Sequence, residues 1–417
     1  MRRSIFPLLS IWLILCFTAC SSENNTAILW SDRPEFAFYA EYYNAAQTQY
    51  KIEMRYYDYL SQKLAEIAPR NGSAYPDIVA GSWLKSASTR VFFRPLDKYF
   101  RDVLENDPFY PRLLTLGNID GNQYLLPVSY NAPLVIFSRN RSGQLSNPFT
   151  VGFTEMKTLG KNYNAVTRGI YTRMGFSPTW DDNFLYITAE LFNASFREDD
   201  PLAWNAVELE RAMNFAYEWT NEANTGIQAV DDFTFKYFYE PPAKLAESGR
   251  ILFTCMDSDV YFTIAEDQRR NLDFRWLAER NTIPLAERSV YIGLTIKGKS
   301  PKAAEAFLRW FIRTDTQRYI LEKSRQNRMD ETSFGIGGGF SAVRTVTEQV
   351  FPLFYPDMLG HMPPQEFLSP ANILPSNWIT LKERVVLPYL KDRVRQPDSG
   401  DINPLERRIA DWQRVNR

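Results

Sequence analysis

Histidine is the scarcest informative residue here: His361 stands alone among 417 residues. It lies in a Gly-His-Met-Pro-Pro loop, and a lone histidine is more often structural or exposed than catalytic. No Gly-x-Ser-x-Gly elbow accompanies it, which disfavours an α/β-hydrolase triad. Cysteine is scarce too. Cys16 and Cys20 lie in the first twenty residues, leaving Cys255 without an intramolecular disulfide partner, and no His/Cys cluster has zinc-binding spacing. A surplus of either charge is also missing: 48 basic and 49 acidic residues give a net charge of -1, with no basic excess for a nucleic acid. The glycine run Gly335–Gly339 continues into Phe340 rather than Lys-Ser/Thr, so it is not a phosphate-binding loop. Adjacent carboxylates occur at Asp181/Asp182 and Asp231/Asp232, but a glycosidase needs two carboxyl groups facing each other across a bond, which adjacency does not supply.

Long apolar runs are limited to one, from Ile5 to Phe17. It falls short of the ~20 residues needed to span a bilayer. Arg2 and Arg3 precede it and small residues follow, which is the order of a secretory signal. Phe17-Thr18-Ala19-Cys20 resembles the lipobox of bacterial lipoproteins, with Phe17 in place of the usual Leu. That resemblance implies export, cleavage before Cys20, and a lipid on Cys20 that holds the protein to a membrane, facing the periplasm or exterior. Residues 20–26 would form a short tether. The length fits two or three domains, long enough for a core without staples. Aromatics are plentiful, with 29 Phe, 23 Tyr and 10 Trp. Most belong in the core because each buries a large area.

Beyond the tether, Ala27–Trp30 reads as a buried strand. Ser31 or Asp32 suits a helix cap, with Pro34 in the first turn and Glu35 three after Asp32. Ile52, Met54 and Tyr56 alternate as a strand; Leu60, Leu64 and Ile67 mark a helical face; Asp77–Ala80 is a third strand. This alternation predicts a parallel α/β sheet. Further strands are expected at residues 124–127, 134–137, 251–254 and 291–296, with helices around 209–216 and from Pro301 onward. The last forty residues, with Arg393, Arg395, Arg407 and Arg408 among acids, read as a solvated helical face.

Four segments, in order, resemble the family 1 extracellular solute-binding proteins, the maltose-binding-protein-like group. They are Leu29-Trp30-Ser31-Asp32; Tyr75-Pro76-Asp77-Ile78-Val79-Ala80; Gly121-Asn122-Gln123-Tyr124-Leu125-Leu126-Pro127 with Leu134 to Asn140; and Ile292-Gly293-Leu294 through Ser300-Pro301 to Leu308. Gly339–Arg344 is similar to the family's Pro-x-Arg segment, without its proline. The resemblance implies a type II periplasmic-binding-protein fold: two α/β lobes, each a sheet flanked by helices, joined by hinge strands. It places residues 27–137 and 291–328 in one lobe and 138–290 and 329–417 in the other. It also implies a solute-binding monomer, not an enzyme, that needs no cofactor or metal, captures a small polar ligand such as a sugar or oligosaccharide, and delivers it to the permease of an ABC importer. Two other readings remain: an anchored secreted enzyme acting on carbohydrate, and a binding lipoprotein that serves a sensor.

Ligands of open α/β sheets bind beyond the carboxyl ends of strands. The residues just after or between the expected strands are therefore candidates for the cleft: Trp30, Ser31 and Asp32; Gly81, Ser82 and Trp83; Ser129, Tyr130 and Asn131; Trp180, Asp181 and Asp182; Met256 to Asp259; and Tyr291 at the late strand. From these, Trp30, Asp32, Trp83, Tyr130, Trp180, Asp181, Asp257 and Tyr291 are the expected ligand-binding residues. Aromatic faces cover the C–H side of a sugar ring and carboxylates accept from its hydroxyls. Asp32 equally suits a helix cap, and a Trp after a strand equally suits packing.

Overall fold

A computed structural model describes residues 25–67, 75–106, 108–397 and 399–416. The signal and Cys20, with its expected lipid, lie outside the described residues. In chain order, β1 (Thr26–Ser31), α1 (Glu35–Ala46), β2 (Lys51–Tyr56), α2 (Leu60–Ile67) and β3 (Ile78–Gly81) form the expected alternation. After them come β4 (Leu126–Tyr130), β5 (Pro133–Ser138) and β6 (Thr150–Val151). The helices α3 (Asp182–Leu191), α4 (Ala206–Asn224) and α5 (Ile227–Lys236) fill the middle. Then β7 (Thr254–Asp257), β8 (Leu272–Leu277), β9 (Val290–Leu294), α6 (Pro301–Phe311), α7 (Thr314–Gln326) and β10 (Phe340–Ser341) follow.

Two sheets organise these elements. The first has the order β10-β4-β9-β3-β1-β2, with β1 parallel to β2 and β3, and β9 antiparallel to β3 and β4. The second has the order β7-β5-β8-β6, with β5 antiparallel to both β7 and β8. Strands of the first sheet therefore come from both sides of the sequence that builds the second. The strand 133–138, expected to close the first lobe, pairs instead in the second sheet. The chain crosses between the sheets at Asn131–Ala132, six residues before the expected boundary at 137. Residues 340–341 return to the first sheet by pairing with β4, although 329–417 was expected in the other lobe. An apolar strand reads the same whichever sheet it joins, so pairing decides what hydrophobicity does not.

Local signals explain several ends. Ser300 precedes Pro301 at the start of α6, whose Ala303, Ala304, Phe307, Leu308 and Phe311 are buried at helical spacing. Asn205 caps α4 by accepting from the Glu208 amide at 3.3 Å. That helix ends at Thr225 in the left-handed region, one residue before the expected stop at Gly226. Asp32 does not cap α1. Its carboxylate accepts instead from the amide of Ser82 at the end of β3, 3.1 Å away. Among the described residues no helix is long and apolar enough to cross a membrane.

Candidate functional site

The carboxyl ends of β1 and β3 and the start of β9 converge on a polar seam. Ser31 and Gly81 end their strands side by side, and β9 runs antiparallel to β3, which brings Arg288 to the same edge. Arg33 donates to Ser82 Oγ at 2.9 Å and to the Arg288 carbonyl at 3.4 Å, and Ser82 Oγ donates to that carbonyl at 3.2 Å. Burial pushes the Asp32 carboxyl up to about 6, against the pull of neighbouring Arg33 at 3.6 Å. Gly81 leaves room for this carboxylate: a β-carbon on it would lie 2.6 Å from Asp32 Oδ1 and 2.7 Å from Leu60 Cδ2.

The second sheet meets this seam through the end of β7. Asp257 is the last residue of that strand, and Ser258 follows. Arg288 reaches Asp257 at 3.6 Å and Asp259 at 3.5 Å. Asn131, in the crossing between sheets, accepts from Ser258 Oγ at 2.8 Å, donates to the Gly338 carbonyl at 2.8 Å, and accepts from the Ala286 amide at 2.8 Å. One side chain and its backbone thus tie together three connections between the sheets. Beside Asp257 opens a cavity of about 160 Å³ whose wall includes Tyr186, Glu190, Glu287 and Lys382.

The expected site residues divide. Asp32 and Asp257 lie on the seam. Trp83 is close by, at a φ of +61°, and packs across the gap against the apolar cluster that includes Leu185, Leu374 and Trp378. Near it, the Ala87 amide donates to Glu198 at 2.7 Å, and Ser88 Oγ lies 3.0 Å from Ser376 Oγ. Trp30, Tyr130 and Tyr291, in contrast, are core residues, at most 2% exposed. Each belongs to a strand rather than the loop after it. Trp30 packs on Tyr57 at 4.5 Å, Tyr130 sits edge-on to Tyr110, and the Tyr291 hydroxyl donates to the Leu113 carbonyl at 2.8 Å. Trp180 and Asp181 lie elsewhere, in an aromatic pocket of about 300 Å³ against Phe233, Tyr237 and Cys255. Asp181 caps α3 through the Asn183 amide at 2.8 Å. Sequence reasoning missed Arg33, Arg288, Glu190, Glu287 and Lys382. Arg33 could have been found as Asp32's neighbour; the others come from segments whose meeting no local pattern announces.

A family model for bacterial extracellular solute-binding proteins matches residues 39–326. The chain belongs to this family of extracellular solute-binding proteins. Solved structures agree in fold. A Listeria monocytogenes ABC substrate-binding protein, in complex with cycloalternan, superposes with a TM-score of 0.62 at 12% identity, covering 94% of this chain and 98% of that one. A Rhizobium etli sugar transporter in an open conformation gives 0.63 at 13% identity, with 94% and 99% covered. The maltose/maltodextrin-binding domain from Bdellovibrio bacteriovorus, bound to maltotriose, gives 0.56 at 14% identity, with 94% and 100% covered. The fold is the two-lobed one of periplasmic binding proteins, each lobe a sheet flanked by helices. Curated protein sequences give no match.

Proposed function

We propose that this solute-binding protein captures a sugar or oligosaccharide between its lobes and delivers it to an ABC importer, held to the membrane through lipid on Cys20. The observation that carries the reading is the seam where Asp32, Arg33 and Ser82 of one sheet meet Asp257 and Asp259 of the other around Arg288. Carboxylates, a hydroxyl and guanidinium groups on facing edges supply the acceptors and donors that hydroxyl-rich solutes need. The sugars bound by structural relatives are of that kind. Binding in such a cleft draws the lobes together around a hinge, and the closed form is the one presented to a permease.

Calorimetric titration with maltotriose and a panel of other neutral and substituted oligosaccharides tests capture, with chromatography of the recovered ligand. At least one should bind and come back unchanged. Chemical conversion of the sugar would favour an anchored enzyme instead. For the anchor, Cys20→Ser should move the protein from the detergent phase to the aqueous phase, because the lipidated form is retained by its acyl chains.

A further inference from the structure

The cavity beside Asp257 has a charge pattern that the seam does not explain. Its volume, about 160 Å³, is well above the ~10–15 Å³ that admits one water. Three carboxyl side chains line it, Glu190, Asp257 and Glu287, against one ammonium, Lys382. Lys382 is already committed: it pairs with Glu287 and lies 4.1 Å above the Tyr186 ring. Trp378 Nε1 also donates to Glu287, at 3.4 Å. Glu190 accepts one long bond from the Phe196 amide at 3.3 Å, and among the described residues its nearest positive influence is Lys382, which is paired with Glu287. Asp257 has only the 3.6 Å approach of Arg288, which Asp259 shares at 3.5 Å. Carboxyl groups therefore outnumber cations around this cavity: Glu190, Asp257, Asp259 and Glu287 against Lys382 and the shared Arg288.

Uncompensated buried charge is costly, and the groups respond as expected. Burial foremost, with Glu287 adding to it against Lys382, pushes Glu190 up to about 7. Burial, with Asp259 and Glu287 adding to it against Arg288 and Lys382, pushes Asp257 up to about 6. A bare metal ion is not the natural occupant, because among the described residues no three His, Cys, Asp or Glu side chains converge to hold one. The carboxyl groups are spread around a cavity, which suits a cation carried on a larger polar body. Asn183, one turn before Tyr186 on the same face of α3, and Asn372 add neutral donors and acceptors for hydroxyls.

We propose that this cavity receives an amino group, so that the solute is a sugar bearing a primary amine, with its ammonium seated among Asp257 and Glu190. The proposal rests on sugar capture as the function and names the class of sugar. The ammonium supplies the positive charge in which the cluster is deficient. Its arrival returns Glu190 and Asp257 to the ionised form, so binding near pH 6.5 expels protons.

The test is calorimetric titration of the full chain with the β-1,4 disaccharide of glucosamine, with its N-acetylated counterpart and cellobiose as amine-free controls. At pH 7.5 the free amine should bind at least tenfold more tightly than either control. At pH 6.5 its measured enthalpy should vary with the ionisation heat of the buffer, showing proton release, while that of the controls should not. Glu190→Gln and Asp257→Asn should each pull the affinity ratio of amine to N-acetyl form toward one. If a variant fails to fold, the parent's own preference still decides. Controls that bind as tightly as the amine overturn the proposal and leave sugar capture standing. If none of the three disaccharides binds, the amine proposal falls, and the oligosaccharide panel decides separately whether capture falls with it.

Discussion

Trp83 holds its backbone at a φ of +61°, in the left-handed region that bulky side chains avoid. Such strain persists only where the surroundings over-determine it, and here the indole spans from the end of β3 to the opposite apolar cluster. Trp83→Ala should leave the circular dichroism spectrum unchanged and weaken the best-binding sugar by tenfold or more in calorimetry, because the indole packs where the lobes approach. Lys85, two residues on, lies 4.4 Å above the Tyr291 ring, and burial drops its amine to about 7. A lysine whose folded value lies below its unfolded value binds fewer protons when folded. Its contribution therefore disfavours folding at pH 6 and does so less as pH rises toward the unfolded value. Lys85→Met should stabilise the fold at pH 6 by an amount on the order of 2 kcal/mol after subtracting the cation–π contact, seen as a higher thermal midpoint, and by less at pH 9.5. Glu190 has the opposite sign. Its folded value is raised, so its penalty sets in as pH rises above the unfolded value of 4.5 and is complete above about 7, and Glu190→Gln should stabilise the ligand-free protein more at pH 8 than at pH 5. Differential scanning calorimetry at the paired pH values checks both.

Close backbone approach shapes the elements of the second lobe. A β-carbon on Gly175 would lie 2.2 Å from both the Cα and the carbonyl oxygen of Gly160, in the helix Phe153–Tyr163. Neither atom can swing away as a side chain could. Gly175→Ala should therefore cost at least ~2–3 kcal/mol in urea unfolding, at the upper end for overpacking. Gly81→Ala meets side chains instead, Asp32 and Leu60, and should cost less while displacing Asp32 from the Ser82 amide. Covered sheet faces, not strand ends, account for the buried aromatic candidates. Trp30 and Tyr291 sit inside their strands, and Tyr130, although the last residue of its strand, has its ring packed against Tyr110 and Phe340. Asp257 ends its strand, and its side chain faces the cavity and Arg288.

At the scale of the whole molecule, the lobes share an apolar link, in which Phe340 of the first sheet packs on Trp276 of the second, besides polar contacts on the hinge side and at the rim. The hinge side is knit by Asn131 and Arg288, and the rim by Ala87–Glu198 and by Ser61 and Ser88 on Ser376. The polar rim contacts are partly exposed, so each contributes little beside the packing of Trp83. Glu198→Ala should shift the ligand-free molecule toward an open form, seen as a larger radius of gyration in small-angle scattering, and should weaken ligand several-fold with thermal stability nearly unchanged. A radius of gyration identical to the parent's would show that the rim does not hold the lobes together.

The strand–helix alternation of the first hundred residues was legible because burial period is a local property, and so were the ends of β1 and β3, where Asp32 and Trp83 are found; β7 runs three residues later than the strand expected at 251–254, so Asp257 ends it rather than following it. Which sheet residues 133–138 join was not legible. That depends on hydrogen-bond partners more than a hundred residues away, and a fully apolar strand fits either sheet. The charged half of the site was hidden for the same reason. Glu190 reads as an ordinary residue near a helix end, Glu287 and Arg288 as loop charges, and Lys382 as one more cation in a mixed-charge C-terminal region. Only the folding of four distant segments around one cavity brings Glu190, Asp257, Glu287 and Lys382 together, and only their burial turns ordinary surface chemistry into a charge imbalance that a ligand can answer.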